Sequence, residues 1–258
     1  MDTALRQDQL DFFYQNGYLR FGPMIGGADL DLLRIEYDRE FALANESGDY
    51  RNLAISDTAD KSVKAAAPIK MLQIMQMGDR NIHFRRLWYH TKILDIVADI
   101  LGPNIQLFHD QALFKPARQG GAVFWHQDNA YWKCRPASLV SCWITLDDAY
   151  RENGAMQVIP GSHLKPVWHE PSESTNALLD LEKSGAIERE KAVVVDVPAG
   201  GCMFHHCQTL HYTQPNETPH QRRAFIMHFM VPGTRTESRQ GNIIPNSFSA
   251  PILRSALA

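Results

Sequence analysis

The texture of the chain beyond Pro103 constrains the fold most. NIQLFHDQALFKP, GAVFWHQD, SLVSCWITLDD, AMQVIP, KAVVVDVP, GCMFHH and RRAFIMHFMVP are short β-type runs set off by Gly, Pro and Asn. Regular short strands with turn signals between them specify an all-β sandwich or barrel, not a parallel α/β sheet. With 258 residues, 44% of them hydrophobic, the chain has enough apolar material for one core of that kind.

The first hundred residues follow a helical period. RQDQLDFFYQNGY groups Leu10, Phe13 and Tyr14 on one face before Gly17, and Leu30, Leu33, Tyr37 and Phe41 recur at helical spacing. DRNIHFRRLWYHTKILDIVADILGP reads as a helix or helix pair closed by Gly102 and Pro103. PIKMLQIMQM suits a short buried strand, though its periodicity also allows a helix; on a strand Met71, Gln73, Met75 and Met77 would share one face. The expected organisation is one domain over 1–258: a mainly helical layer (1–103), a β-core (104–235) and a C-terminal tail (236–258). The polar, partly helical segment 164–192 interrupts the strands and is expected to be an insertion, either a lid closing over a site or a plain surface excursion.

Charge and composition exclude several classes. A formal net charge of −3 and the lack of any Lys/Arg stripe argue against a nucleic-acid partner. The sequence shows neither an apolar run of 18 residues nor a signal-peptide pattern, so the expectation is a cytoplasmic protein with no membrane partner. Cys134, Cys142, Cys202 and Cys207 have no CxxC spacing and read as buried free thiols.

The chemistry concentrates in FWHQDNAYW, residues 124–132. In an extended strand, residues i and i+2 project to the same side, so His126 and Asp128 would point one way. Two histidines and one carboxylate form the facial triad of non-heme iron(II) oxygenases, which leaves metal positions open for reactants. His211 suits the third place, and His205, His206, His220 and His228 compete with it; spacing alone does not choose. Arg222 opens the last long apolar strand and offers a bidentate fork for a carboxylate, with Arg223 on the opposite face.

HQD at 126–128, ENGAMQVIPGSH at 152–163 and H-x-T at 211–213, followed by Arg222, resemble the phytanoyl-CoA dioxygenase family of iron(II)/2-oxoglutarate oxygenases. The likeness runs from FYQNGYLRF through LGPNIQLFHDQALFKP to the final long strand. It implies a mainly β fold with α, a cupin-like double-stranded β-helix or jelly roll, carrying the helical N-terminal layer. It implies Fe(II) held by His126, Asp128 and His211, the distal carboxylate of 2-oxoglutarate on Arg222, and Thr213, Lys115 and Trp143 in the same pocket, with O₂ as the other cosubstrate. Gln73, Met75, Asn129 and Tyr131 are candidates to touch a small-molecule substrate. The implied reaction is hydroxylation of an unactivated C–H bond with release of succinate and CO₂. Desaturation, cyclisation and epimerisation are alternatives at the same site, and a jelly roll binding metal or ligand without turnover is another. Asp128 retains the carboxylate that halogenating relatives lack, which disfavours halogenation. In IPGSH, Pro160 and Gly161 set a turn, Ser162 can cap it, and His163 is expected to be hydrogen-bonded there and not a metal ligand.

Overall fold

The computed structural model of the chain describes residues 4–53, 72–167, 187–238, 240–246 and 250–256. The N-terminal helix Gln7–Asn16 stops at Gly17, which takes the left-handed conformation (φ 79°) and returns its N–H to the Phe13 carbonyl. A Cβ there would also lie within 2.7 Å of the His163 and Thr209 side chains, so both the turn and the close approach require glycine. Helix Gly27–Ser47 buries Leu30, Leu33, Tyr37, Phe41 and Ala44, four of them at the expected helical positions. The 77–103 region forms Met77–Arg80, Ile82–Leu87 and Thr91–Leu101, the last turning Ile93, Leu94, Ile96, Val97 and Ile100 into the core.

The larger sheet has eight strands. Its order is Tyr18–Phe21 (β1), Cys202–His206 (β10), Val140–Thr145 (β7), Arg222–Met230 (β12), Ile105–Lys115 (β4), Leu72–Met75 (β3) and Arg51–Asn52 (β2), with Ile252–Arg254 (β15) also pairing with β4. A second sheet runs Val123–His126 (β5), His211–Thr213 (β11), Met156–Val158 (β8) and Val193–Val195 (β9). Ile243–Pro245 (β14), Arg235–Glu237 (β13) and Cys134–Arg135 (β6) make a third, small sheet. All these pairings are antiparallel, as a jelly roll requires. Helices cover the outer face of the larger sheet, where Tyr37, Phe84 and Phe225 meet in the main core.

Three details differ from the sequence reading. The helical layer contributes β1 and β2 to the large sheet, and the tail contributes β13, β14 and β15. Met77 does not share the face of Gln73 and Met75: β3 ends at Met75, Gln76 turns left-handed (φ 55°), and Met77 enters the core from a helix. Met71 and most of the insertion 164–192 lie outside the described residues. The ends of that insertion, Val167 and Ile187, both pack on the cluster of Trp125, Ile159 and Leu210. All four cysteines are buried and free.

Candidate metal and cosubstrate site

The site lies between the two sheets. β5 delivers His126 and pairs in register with β11, which sets His211 directly opposite. Asp128 is not on the strand: β5 ends at His126, and Asp128 opens the short helix Asp128–Trp132. The i, i+2 strand argument is therefore corrected, and a turn brings the carboxylate inward instead. Gln127 holds that turn, its amide donating to Gln208 O at 2.6 Å and Lys165 O at 3.2 Å while its Oε1 accepts from Val167 N at 2.9 Å. Nothing in the sequence marked Gln127 for this.

Both histidines are oriented from behind. His126 Nδ1 lies 2.7 Å from Phe124 O and His211 Nδ1 lies 2.9 Å from Thr209 O, which places the ring proton on Nδ1 and leaves each Nε2 as a lone-pair donor. Those Nε2 atoms stand 3.5 and 3.7 Å from Asp128 Oδ1, and one ligand atom from each residue falls within 4.8 Å of the others. Burial, reinforced by the neighbouring His126, lowers the His211 pKa to about 3. Burial opposes ionisation of Asp128, but His211, His126 and His205 outweigh it and hold the carboxyl well below its usual range. Neutral imidazole and ionised carboxylate are the states a divalent metal needs. His205 Nε2 touches Asp128 Oδ2 at 3.3 Å, on the side away from the other two histidines.

A cavity of about 820 Å³ opens over this cluster. On its wall is Arg222, buried to 1% exposure, with Nε, Nη1 and Nη2 all lacking a hydrogen-bond partner among the described residues. Burial lowers its pKa to about 10, and its Cζ sits 5.4 Å from the Trp143 ring centroid. Thr213 Oγ1 is also buried without a partner on this wall. Arg223 faces the other way, pairing with Asp38 at 3.1 Å. Lys115 stands opposite Arg222 in register, yet does not line the cavity. Its ammonium donates to Gly121 O (2.5 Å) and Gln214 O (2.7 Å), and its stem runs where side chains at Gly120 and Gly154 would collide with it. Two carbonyls hold the amino group that the resemblance assigned to the cosubstrate pocket, and burial, reinforced by Arg222, pushes its pKa well below the usual lysine range.

Gln73, Met75 and Tyr131 also line the cavity, with Tyr131 edge-on to His126 at 5.6 Å between ring centroids. Asn129 does not line it: its side chain is spent on Cys134 N (2.8 Å) and Cys134 O (3.4 Å), closing the turn after the helix. His163 bonds Tyr14 O at 3.1 Å. Gln111 and His228 add polar groups to the wall, with Ser141 behind them on His228 Nδ1, and of these three only His228 had been considered from the sequence.

The sequence pattern of the family described as phytanoyl-CoA dioxygenase matches residues 13–224. The chain belongs to that family. The phytanoyl-CoA dioxygenase family uses iron(II), 2-oxoglutarate and O₂, and the donor set above fits such a metal. Over 140 residues the chain is 32% identical to a probable alpha-ketoglutarate-dependent hypophosphite dioxygenase of Stutzerimonas stutzeri, covering 53% of this chain and 49% of that protein. It is 25% identical to ectoine dioxygenase of Halomonas elongata, covering 88% and 70%. The chain thus spans about half the length of the first relative and a larger share of the second. Among solved structures, the carbocyclase SnoK from nogalamycin biosynthesis, described as non-heme and alpha-ketoglutarate-dependent, superposes with a TM-score of 0.76 at 20% identity, covering 98% of both chains. That likeness establishes the double-stranded β-helix. None of the helices in the described residues is long and apolar enough to cross a membrane.

Proposed function

We propose that the chain is an iron(II)- and 2-oxoglutarate-dependent dioxygenase that hydroxylates a small molecule. The observation that carries this reading is Arg222. A buried guanidinium with no bonded nitrogen is costly, and the cost is relieved when a carboxylate enters beside it. Thr213 Oγ1 offers a second contact to that carboxylate, and Trp143 walls the pocket. His126, Asp128 and His211 would hold the iron, which when bound supplies oxidative decarboxylation of 2-oxoglutarate and the oxidising power for a C–H bond. The chain orients the cosubstrate between Arg222 and the triad, and the cavity walls limit water around the reacting atoms.

The test is anaerobic loading with Fe(II) and 2-oxoglutarate, followed by admission of O₂ and measurement of succinate across a metabolite library. Substrate-stimulated succinate, with product gaining one oxygen atom, is expected. His126→Ala, Asp128→Ala and His211→Ala should each abolish turnover by losing iron while retaining the wild-type circular dichroism spectrum. Full iron occupancy in His211→Ala would sink the ligand assignment.

A further inference from the structure

Behind the metal cluster the hydrogen bonds run in one direction. Cross-strand register sets His109 of β4 opposite His228 of β12, His228 opposite Ser141 of β7, and Ser141 opposite His205 of β10. This polar row crosses four strands that are otherwise largely apolar, and all four residues are buried. Buried polar groups need partners, and tracing them fixes the proton positions.

Asp128 Oδ2 can only accept, so Ser141 Oγ, 3.4 Å away, donates to it. Ser141 Oγ is then the acceptor for His228 Nδ1 at 2.7 Å. His228, kept neutral by burial, presents its Nε2 lone pair to Gln111 Nε2 at 2.9 Å. Gln111 Oε1 in turn accepts from Gln73 Nε2. Every donor in the chain points toward Asp128, so its open end must be an acceptor. That end is Gln73 Oε1, a buried oxygen on the cavity wall without a partner among the described residues.

We propose that Gln73 Oε1 reads a hydrogen-bond donor on the primary substrate, a hydroxyl or an amine, and that Gln111, His228 and Ser141 are positioning residues tying this contact to Asp128. The inference rests on the oxygenase reading and adds a substrate class to it. A molecule offering only acceptors leaves Gln73 Oε1 unsatisfied; a hydroxyl or amine completes the chain. At the inner end, Ser141 and His205 occupy Oδ2, which leaves Oδ1 to face His126 and His211. The carboxylate is thereby turned to meet a metal through one oxygen.

Cobalt(II) with 2-oxoglutarate is a suitable probe, because its visible absorption reports both affinity and ligand geometry. Ser141→Ala should weaken cobalt binding by about tenfold or more and shift the band, as loss of a residue orienting a metal ligand does. Cys142→Ala, on the same strand but facing the core, should do neither. Benzyl alcohol should perturb the wild-type band, whereas benzyl methyl ether, which retains the oxygen acceptor but lacks the donor, should not. Gln73→Met should respond to neither. Wild-type cobalt affinity and spectrum in Ser141→Ala would overturn the positioning chain. An equal response to alcohol and ether, no response to either, or an unchanged response in Gln73→Met would overturn the donor reading. Wild-type protein that binds no cobalt overturns the oxygenase proposal itself, a result distinct from the others.

Discussion

Arg222 and Arg223 are neighbours whose environments differ completely. Strand alternation turns the first into the cavity with no partner and the second outward onto Asp38 and Asp147. Lysine in place of Arg222 keeps a charge but loses the second, fork-like hydrogen bond, worth about 1.5–3 kcal/mol for a charge-assisted contact. The affinity for 2-oxoglutarate should therefore fall by roughly one to two decades in Arg222→Lys and stay near wild type in Arg223→Lys. Anaerobic titration followed by the visible band of the iron complex measures both; a larger loss in Arg223→Lys would show the two roles reversed. At this scale the sequence is informative wherever a motif ties residue type to spacing, as for His126, Asp128, His211 and Arg222. It is silent where a side chain's partner is a backbone carbonyl of a distant loop. Lys115 on Gly121 and Gln214, and Gln127 on Gln208, are of that kind.

β4 carries two functions on its two faces. His109 and Gln111 face the cavity, while Asp110 between them faces the helical layer, accepting from Trp88 Nε1 at 2.6 Å and from Gly78 N at 3.1 Å. Asp110 thus fastens the 77–88 helices to the sheet. Burial raises its pKa to about 6 despite those donors. A carboxyl whose folded pKa exceeds its unfolded value near 4 favours the folded state most below pH 4, and that contribution is lost as pH rises through 6. Two units correspond to roughly 3 kcal/mol. Denaturant titrations of wild type and Asp110→Asn at several pH values isolate this group: the stability of wild type relative to the variant should decline by roughly that amount between pH 4 and pH 7. A difference independent of pH would show that Asp110 ionises as it does in water. Long elements such as Thr91–Leu101 and β4 were legible because several periods of the pattern fit within them. β1, β2 and the strands after residue 235 were not, because two to four residues cannot display a period and their partners lie far along the chain.

At the scale of the whole molecule, the proposed carboxylate contact at Arg222 would tie stability to ligand binding. The fold class was readable from local sequence, as were the three residues that cluster, His126, Asp128 and His211, but the cavity gathers residues from Arg51 to His228, and such an assembly exists only once the sheets close. Its least comfortable member is Arg222, whose pKa burial lowers from 12.5 to about 10, a disfavoured charge of roughly 3 kcal/mol. Replacing a buried unpaired charge by an apolar chain of similar length removes that cost, so Arg222→Met without ligands should melt above wild type by several degrees, at about 2–4 °C per kcal/mol for a chain of this size. Function then reverses the order. With cobalt(II) present, 2-oxoglutarate at about 100 times its Kd should stabilise wild type by about 2.7 kcal/mol and leave Arg222→Met almost unmoved. Calorimetric melting of the two proteins, each with and without 2-oxoglutarate, supplies all four values. If Arg222→Met melts below wild type without ligand, the guanidinium is satisfied within the protein, and the proposal that it awaits a carboxylate fails.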